Sequence, residues 1–432
     1  MSIKDKINSI LSSDVNRRMF THSFWILLGN VISKFVLLIA TILMARYLGK
    51  EEYGQFGIIK STILMFAVFA GMELGMTATK YISQYKSTDK QKVERIIGIS
   101  NLFSIVISLL ISAGVYLFSS EIAKQINAPH LSLEIKISSF ILFFSSLNGI
   151  QNGILAGIEK FKNLSFNNAI AGVISSVGLI LASNFFSLAI VVLAFGLNYV
   201  LVFLLNYISL KKQFYSEFKV KILNKDNFNE IDVLWKFSLP AILAGLMIGP
   251  VTWFCNYLLV NQPNGYNEMA NFDIASQWRN TILFIPAALS QIALPLLASN
   301  LNDKEAYKLV FNKNLKINLI IGFSLVIVFV LASPLITFIY GEKYQDALFP
   351  MILMFITTGF ITINNVIGQA IASQGKMWLG FYVNLIWAIL LTLLAYIFIV
   401  VYNWGAIGLC GAYLISYMAH SLIQFLYIKR YI

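Results

Sequence analysis

The segment that most clearly indicates the fold class is residues 377–401, which read MWLGFYVNLIWAILLTLLAYIFIVV. An apolar segment of about twenty residues or more is long enough to cross about 30 Å of hydrocarbon as a helix. Toward the N-terminus, apolar segments of similar length recur at 24–44 and 96–118, and short polar gaps separate such segments along the chain. The sequence therefore predicts an all-α integral membrane protein.

The overall composition supports the same conclusion. The chain has 432 residues, of which 58% are hydrophobic and 12% charged, and its mean hydropathy is +0.74. A soluble domain carries roughly 25% charged residues, about twice the fraction found here. The composition excludes a soluble protein and leaves no room for an extramembrane domain of ordinary size, so the membrane part must carry the function.

The apolar segments predict about twelve transmembrane helices, and Asn184 supplies the main break between the fifth and the sixth. Their ends are uncertain by a few residues. The predicted spans are 24–45, 57–79, 96–118, 135–156, 168–186, 188–209, 236–260, 273–298, 315–333, 347–371, 377–401 and 404–428.

Basic residues lie mainly on one side of these spans. The side that holds both termini has 24 lysines and arginines and the other side has five, while Lys34, Lys60 and Arg279 lie within spans and complete the 32. Short loops rich in Lys and Arg stay in the cytoplasm, so both termini are predicted to be cytoplasmic. The same distribution explains the net charge of +12, and no nucleic-acid partner is predicted.

The chain shows no pattern typical of a signal peptide, a disulfide or a metal site. Residues 1–23 are polar and mixed in charge, which predicts a cytoplasmic interfacial segment rather than a cleaved signal peptide. Both cysteines, Cys255 and Cys410, fall inside apolar segments without metal-ligand spacing. The histidines are scattered, at positions 22, 130 and 420. We expect neither a metal nor a cofactor.

A shift of 216 residues aligns the two halves of the chain in one register. Asn148 falls on Asn364, Lys160 on Lys376, and Asn168 on Asn384. Because six spans per half is an even number, the repeats are expected to share orientation and to be related by a pseudo-two-fold axis along the membrane normal. The predicted domains are an N-terminal lobe at 24–210, a cytoplasmic linker at 211–235 and a C-terminal lobe at 236–432.

Several segments resemble the multidrug/oligosaccharidyl-lipid/polysaccharide exporter superfamily, and in particular its O-antigen flippases of the Wzx type. The segment 45–54, ARYLGKEEYG, resembles the first external loop of the superfamily, and 277–279, QWR, resembles its eighth helix. The segments 364–369, NNVIGQ, and 372–378, ASQGKMW, are similar to the O-antigen flippases.

The resemblance implies two six-helix lobes around a V-shaped cavity in a bacterial inner membrane. It also implies export of an undecaprenyl-pyrophosphate-linked sugar, driven by a gradient of H⁺ or Na⁺. Membrane lipids and the O-antigen polymerase machinery are the partners that it suggests.

Ionisable groups at membrane depth cost about 2.5–3.5 kcal/mol each on insertion scales, so each one needs a partner, water or a function. Lys34 lies near the middle of the first span and shares a polar stripe with Asn30. This stripe predicts a cavity lining, and a structural salt bridge is the alternative. Lys60 lies near the outer end of the second span, where its side chain could instead reach the membrane surface.

Arg279 is the strongest candidate for substrate contact. It lies beside a polar face formed by Asp273, Gln277 and Asn280 at helical spacing. Its planar guanidinium suits two-point binding of phosphate, which a pyrophosphate carrier requires. The alternative is an ion pair between Arg279 and Asp273. The repeat aligns Arg279 with position 63, close to Lys60 on the equivalent helix of the opposite lobe.

Two acidic residues are candidates for ion coupling. Glu73 lies between Gly71 and Gly75 and is the one acidic residue deep in the predicted first lobe, and Asp273 lies in the second. A coupled proton or Na⁺ needs such a group. The alternative role for Glu73 is a salt-bridge partner of Lys34. The small residues Gly149, Gly153 and Gly157 predict instead a close approach of two helices.

Three other functions compete with a lipid-linked oligosaccharide flippase. The first two are a multidrug exporter and a lipid-linked peptidoglycan-precursor exporter of the same superfamily. A cationic cavity disfavours organic cations, and the peptidoglycan type usually has two additional helices. The third is a membrane polysaccharide polymerase or ligase, which requires a long external loop with paired catalytic residues. The longest such loop, at 119–134, offers only Glu121, His130 and Glu134.

Overall fold

The computed structural model describes residues 14–71, 74–235, 247–300, 303–374 and 376–431. Within these ranges the regular structure is helical, with no strand. Thirteen α-helices of seven or more residues are labelled here in chain order. They are α1 Asp14–Phe69, α2 Leu74–Tyr85, α3 Lys90–Leu117, α4 Ser119–Gln125, α5 Ser132–Gly157, α6 Phe161–Phe185, α7 Leu188–Gln213, α8 Gly249–Val260, α9 Gly265–Ser299, α10 Lys304–Tyr340, α11 Leu348–Ser373, α12 Met377–Ala395 and α13 Gly405–Tyr431.

Helix α1 contains a sharp kink at Gly49, whose backbone is non-helical with φ 77° and ψ 174°. Glycine adopts positive φ without the steric penalty that a Cβ would impose. The segment 45–54, which the sequence predicts as an external loop, is therefore helical on both sides of a single kinked residue. A second break follows at Gly71, with φ 92°, so the predicted span 57–79 is divided between α1 and α2.

Nine helices in the described part of the chain are long and apolar enough to cross a membrane. The predicted first span and the first part of the predicted second span both lie in α1, on either side of the kink at Gly49. The predicted seventh span, 236–260, begins in residues outside the described ranges, and α8 covers only its second half. The predicted eighth span lies in α9. The chain is a multi-pass membrane protein, and a count of twelve spans is not confirmed.

The described residues form two compact units. The first unit comprises residues 14–41, 63–122 and 132–235. Its helices α2 and α5 approach closely through glycines: a Cβ added to Gly153 would lie 2.1 Å from the carbonyl oxygen of Gly75, and one added to Gly75 would lie 2.2 Å from that of Gly149. The predicted close approach of two helices at these glycines is confirmed.

The interior of the first unit also holds a hydrogen-bonded polar network. The Ser146 hydroxyl donates to the carbonyl oxygen of Ala70 at 2.6 Å. The Asn167 amide donates to Asn206, which in turn donates to Asn152. Such bonds satisfy polar groups that would otherwise be costly to place among apolar helices.

The segment after α7 packs on the first unit. Glu230 accepts two hydrogen bonds from the guanidinium of Arg95, and Glu94 accepts from the backbone N–H of Lys219. The Asn227 side chain lies against Gly98 of α3, where no larger residue fits. The predicted linker at 211–235 thus has ordered contacts with α3 rather than an extended exposed path.

The second unit comprises Ile42–Thr62, Ala123–Leu131 and residues 247–431. Within it α11 is the central helix, since α9, α10 and α13 all pack against it. The segment Ile42–Thr62 belongs to this unit although it comes early in the chain. The compact units therefore differ from the predicted lobes at 24–210 and 236–432, and the arrangement of six helices per lobe stays a prediction.

Candidate functional site

A buried ion pair joins Lys60 of α1 to Asp273 of α9 within the second unit. The Lys60 ammonium nitrogen lies 2.6 Å from Asp273 Oδ1 and 2.8 Å from Oδ2, and the two side chains are 18% and 9% exposed. The Tyr53 hydroxyl donates to the same carboxylate at 3.1 Å. Two residues with separately predicted roles, one in substrate binding and one in ion coupling, are thus direct partners.

Glycines on α1 allow this pairing. A Cβ added to Gly54 would lie 1.8 Å from the carbonyl oxygen of Tyr266, and one added to Gly57 would lie 3.5 Å from the Cβ of Asp273. The backbones of α1 and α9 therefore approach closely where Lys60 and Asp273 are to meet.

Further hydrogen bonds hold the whole segment Ile42–Thr62 in the second unit. The Tyr344 hydroxyl donates to the carbonyl of Ala45 at 2.8 Å, and Lys50 forms an ion pair with Asp346. At the other end of the segment, Trp253 of α8 donates to Thr62 at 3.0 Å. These contacts explain why the segment groups with residues far away in sequence.

Arg279 lies half-buried on α9, two turns from Asp273. Its guanidinium carbon is 5.2 Å from the centroid of the Tyr413 ring, a distance typical of a cation–π contact. Its nitrogens lie 3.6 Å from the sulfur of Met354 and 3.3 Å from the side-chain oxygen of Asn280. Among the described residues, no carboxylate lies within ion-pair distance of Arg279. The alternative of an Arg279–Asp273 ion pair is wrong, because Asp273 is held by Lys60.

The other candidates are distributed over both units. Lys34 is exposed on the part of α1 that belongs to the first unit, whereas Lys60 and Arg279 both lie in the second. Gln277 is half-buried, and Asn280 is exposed beside Arg279. Glu73 lies outside the described residues, as does the side chain of Asn30.

A polar and aromatic stripe on α13, which the sequence analysis missed, lies in the same unit. Tyr413, Tyr417, His420 and Gln424 follow one another at helical spacing; Tyr417 is half-buried and the other three are buried. The Tyr417 ring lies 5.2 Å from the Trp387 ring of α12 and 6.3 Å from that of His420. The helical spacing of these four residues is the signal in the sequence that points to this stripe.

The external loop residues required for an enzyme do not form a catalytic cluster. His130 packs edge-on against the ring of Tyr266 in the second unit, whereas Glu121 and Glu134 belong to the first. The Tyr266 hydroxyl donates to the carbonyl of Asn127 at 3.0 Å. Burial raises the pKa of Tyr266 to about 12, and the nearby Glu51 contributes to this shift. Tyr266 therefore acts as a neutral hydrogen-bond donor that anchors the loop.

The fold is that of transporters of the MOP superfamily. An inward-facing multidrug resistance MATE family transporter of that superfamily superposes with a TM-score of 0.75, at 16% identity, over 92% of this chain and 94% of its own. The lipid II flippase MurJ, in an inward closed conformation, also gives 0.75, at 17% identity, over 94% of this chain and 87% of its own. Likeness at this identity shows the fold.

The chain belongs to the family described as polysaccharide biosynthesis protein, whose model matches residues 42–349. The EPS I polysaccharide export inner membrane protein EpsE of Ralstonia nicotianae is 30% identical over 173 residues, which is 39% of either chain. A Shigella flexneri protein named "Putative O-antigen transporter" is 23% identical over 425 residues, covering 94% of this chain and 97% of its own.

These comparisons confirm the resemblance read from the sequence. The matching relatives and structural neighbours named above are an exporter, transporters and a flippase, and none of these names describes an enzyme. These names favour export over the alternative of a membrane polysaccharide polymerase or ligase. The matched segment of EpsE spans about two fifths of that protein, so the substrate of this chain is a matter of proposal.

Proposed function

We propose that this chain is a flippase for an undecaprenyl-pyrophosphate-linked oligosaccharide, such as an O-antigen repeat unit. It moves the substrate from the cytoplasmic to the periplasmic leaflet of a bacterial inner membrane. Membership of the polysaccharide biosynthesis family supports this, as does likeness along nearly the whole chain to the Shigella O-antigen transporter. The fold it shares with the lipid II flippase is compatible with a lipid-linked substrate.

The observation that carries the proposal is the environment of Arg279. The guanidinium is half-buried against the Tyr413 ring and the Met354 sulfur, and no carboxylate of the described residues neutralises it. A partly desolvated guanidinium binds phosphate oxygens by two parallel charge-assisted hydrogen bonds. Pyrophosphate, the charged part of the carrier lipid, is the anion that matches this group.

Transport requires a polar path for the sugar. Each hydroxyl that crosses hydrocarbon without a hydrogen-bond partner costs several kcal/mol, whereas a water-filled cavity keeps the hydroxyls satisfied. We infer that two lobes rock between cytoplasm-open and periplasm-open states while the lipid tail stays in the bilayer. Asn30, Lys34, Gln277 and Asn280 are the further residues proposed to line the cavity.

The Lys60–Asp273 pair suggests how substrate and coupling ion exchange. Lys60 neutralises Asp273 at 2.6 Å. If pyrophosphate binds the Lys60 ammonium group in place of Asp273, the Asp273 carboxylate loses its partner. Its affinity for H⁺ or Na⁺ then rises, because an unpaired buried carboxylate is unstable. Asp273 is therefore one candidate coupling residue in the described structure, and Glu73 is a second candidate from the sequence.

The two exporter alternatives fit the site less well. A multidrug exporter for organic cations is disfavoured by an unneutralised arginine, since like charges repel. The likeness of nearly the whole chain to the Shigella flexneri protein favours an oligosaccharide over a peptidoglycan precursor. We further propose that both termini face the cytoplasm and that the O-antigen polymerase machinery receives the product.

A deletion strain tests this function. Deleting the gene should cause undecaprenyl-pyrophosphate-linked oligosaccharide to accumulate in the cytoplasmic leaflet, where an impermeant glycosidase cannot reach it in intact spheroplasts. Complementation with the wild-type gene should restore glycosidase access. A strain that also lacks any second flippase gene serves as the control for compensation. Normal access of the glycosidase to the lipid-linked oligosaccharide in that strain would contradict the proposal.

A further inference from the structure

Helix α13 carries three buried polar side chains one turn apart, Ser416, His420 and Gln424. They are 0%, 6% and 4% exposed. The Ser416 hydroxyl, both ring nitrogens of His420 and the Gln424 side-chain oxygen have no hydrogen-bond partner among the described residues. Because residues four apart on a helix are neighbours, the imidazole has an unpartnered oxygen on each side.

Two unpartnered donors lie on the helices that pack against this face. Trp387 of α12, whose ring contacts Tyr417 next to His420, has an unpartnered indole N–H. Asn364 of α11 accepts a hydrogen bond from Ser421 through its oxygen and has an unpartnered amide nitrogen. The second unit thus holds a cluster of buried donors and acceptors on three adjacent helices.

Such a cluster is costly unless it has a use. A buried polar group without a partner costs about 1–3 kcal/mol, and native proteins contain only a few per hundred residues. Each of these atoms is sealed from solvent. An imidazole is the side chain that takes up and releases a proton near neutral pH.

The charged groups around α13 favour a proton over a metal cation. Helix α11 has no charged residue, and α8 has none, with Cys255 and Tyr257 as its titratable groups. On α12 and the turn after it, Tyr382 and Tyr396 are exposed. Each charged residue on α9 has its own contact. Glu268 accepts a hydrogen bond from the backbone N–H of Ala406, Asp273 pairs with Lys60, and Arg279 contacts the Tyr413 ring.

Lys376, which precedes α12, contacts Tyr427 near the C-terminal end of α13. The other titratable residues of α13 are Cys410, Tyr413 and Tyr417, and Lys429, Arg430 and Tyr431 in its last turn. No carboxylate of the described residues thus lies against His420 to balance a dehydrated metal ion. The positive charge of a protonated imidazole is delocalised over the ring, and its two N–H groups can be stabilised by neutral oxygens.

We propose that His420 is a proton-binding site that couples a proton gradient to the transport cycle. This inference rests on the proposed flippase function. In the described part of the structure the ring nitrogens have no hydrogen-bond partner, and the neutral ring presents one acceptor and one donor. On protonation both nitrogens become donors, and they bond to the oxygens of Ser416 and Gln424. The proton comes from bulk water and returns to it, so no other reactant is required.

The gain of hydrogen bonds on protonation changes how α13 is held. In the neutral state the imidazole has no hydrogen-bond partner among the described residues, and in the protonated state it is bonded along α13. Protonation therefore shifts the relative stability of two packings of the same helices, which is what a coupling site must do.

Direct titration of the ring tests proton binding without a substrate. In a His22→Gln, His130→Gln background, His420 is the single histidine of the chain, and ¹⁵N NMR of the labelled imidazole reports its protonation. We expect reversible titration between about pH 4 and pH 8 in lipid nanodiscs. A ring that stays neutral across this whole range would overturn the proposal.

Transport in proteoliposomes tests the coupling. The probe is the lipid-linked sugar fraction extracted from the deletion strain. One pH unit across the membrane should give the wild-type protein about a tenfold accumulation ratio per coupled proton. His420→Gln should equilibrate the probe but lose the response to the gradient, and His130→Gln, altered outside the cluster, should keep it.

The outcomes separate the two proposals. A wild-type protein that equilibrates lipid-linked sugar with no response to the pH gradient overturns the role of His420 and leaves the flippase function standing. An unchanged gradient response in His420→Gln does the same. A wild-type protein that moves no lipid-linked sugar contradicts the proposed function, and the NMR titration then still decides whether His420 binds a proton.

Discussion

The ammonium group of Lys60 lies 2.6 Å from the carboxylate of Asp273, although the two residues are 213 positions apart in the chain. The pair fastens the part of α1 after its kink to α9, and Tyr53 completes the hydrogen bonds of the carboxylate. Both residues are mostly buried, so each one compensates the other for the loss of water.

We predict that breaking this pair destabilises the protein. Asp273→Asn leaves an uncompensated ammonium group, and removing one partner of a buried ion pair costs about 3–5 kcal/mol. The double variant Lys60→Met, Asp273→Leu should recover much of the loss, because it leaves no buried charge. The melting temperature in detergent can be followed with a thiol-reactive dye, since Cys255 and Cys410 are buried in the folded protein.

The more exposed ion pair between Lys86 and Glu159 provides the control, since its side chains are 30% and 34% exposed. Glu159→Gln should change stability by no more than about 1 kcal/mol. Equal losses in Asp273→Asn and Glu159→Gln would contradict the structural role of the buried pair.

We predict that export depends on the shape of the Arg279 side chain as well as on its charge. Arg279→Ala should reduce export about a hundredfold or more at normal protein level, because two charge-assisted hydrogen bonds are worth about 1.5–3 kcal/mol each. Arg279→Lys should restore export only in part, because an ammonium cannot replace the planar fork. Arg46→Ala removes an exposed arginine of the same unit and is the matched control. Wild-type export by Arg279→Ala would remove this residue from the site.

We predict that Gly153 tolerates no side chain. The Cβ of Gly153→Ala would lie 2.1 Å from the backbone oxygen of Gly75, so α2 and α5 must separate, at a cost of about 1–3 kcal/mol or more. Gly380→Ala is the control, because its Cβ would meet nothing within 4 Å and alanine favours a helix. Comparison of the two melting temperatures checks this prediction, and a Gly153→Ala variant as stable as Gly380→Ala would disprove it.

We predict opposite membrane sides for two exposed positions. The Leu223 side chain is 89% exposed in the predicted cytoplasmic linker, and Lys343 is exposed in a predicted external loop. An impermeant maleimide should label Lys343→Cys in intact cells but Leu223→Cys only after permeabilisation. The native cysteines are buried and give a low background. Labelling of Leu223→Cys from outside would reverse the predicted orientation.

Part of this architecture could be predicted from the sequence. Apolar segments of membrane-spanning length indicate an all-helical membrane protein, because a segment that crosses hydrocarbon as a helix makes all of its backbone hydrogen bonds internally. The small residues around Gly153 indicated close helix packing, since a small-residue spacing has few other uses. The short segments that resemble the exporter superfamily identified the family correctly.

Other features depend on contacts that no local pattern contains. Lys60 and Asp273 meet because Gly54 brings α1 against α9, and the sequence repeat instead suggested a symmetric position for Lys60 opposite Arg279. The chain is helical on both sides of the kink at Gly49, where the sequence predicted a loop, and hydropathy cannot distinguish a one-residue kink from a short loop. The polar stripe around His420 was missed because it lies within a strongly apolar helix, and only its burial shows that these polar atoms lack partners.

The central claim, transport of a lipid-linked sugar, is tested most directly with purified protein in vesicles. Fluorescent undecaprenyl-pyrophosphate-linked oligosaccharide is incorporated into both leaflets, and an impermeant quencher reports the fraction that reaches the outer leaflet. We predict that wild-type protein makes all of the fluorescence accessible, whereas Arg279→Ala leaves the inner half protected, as in protein-free vesicles. Equal protection with and without wild-type protein would contradict the account.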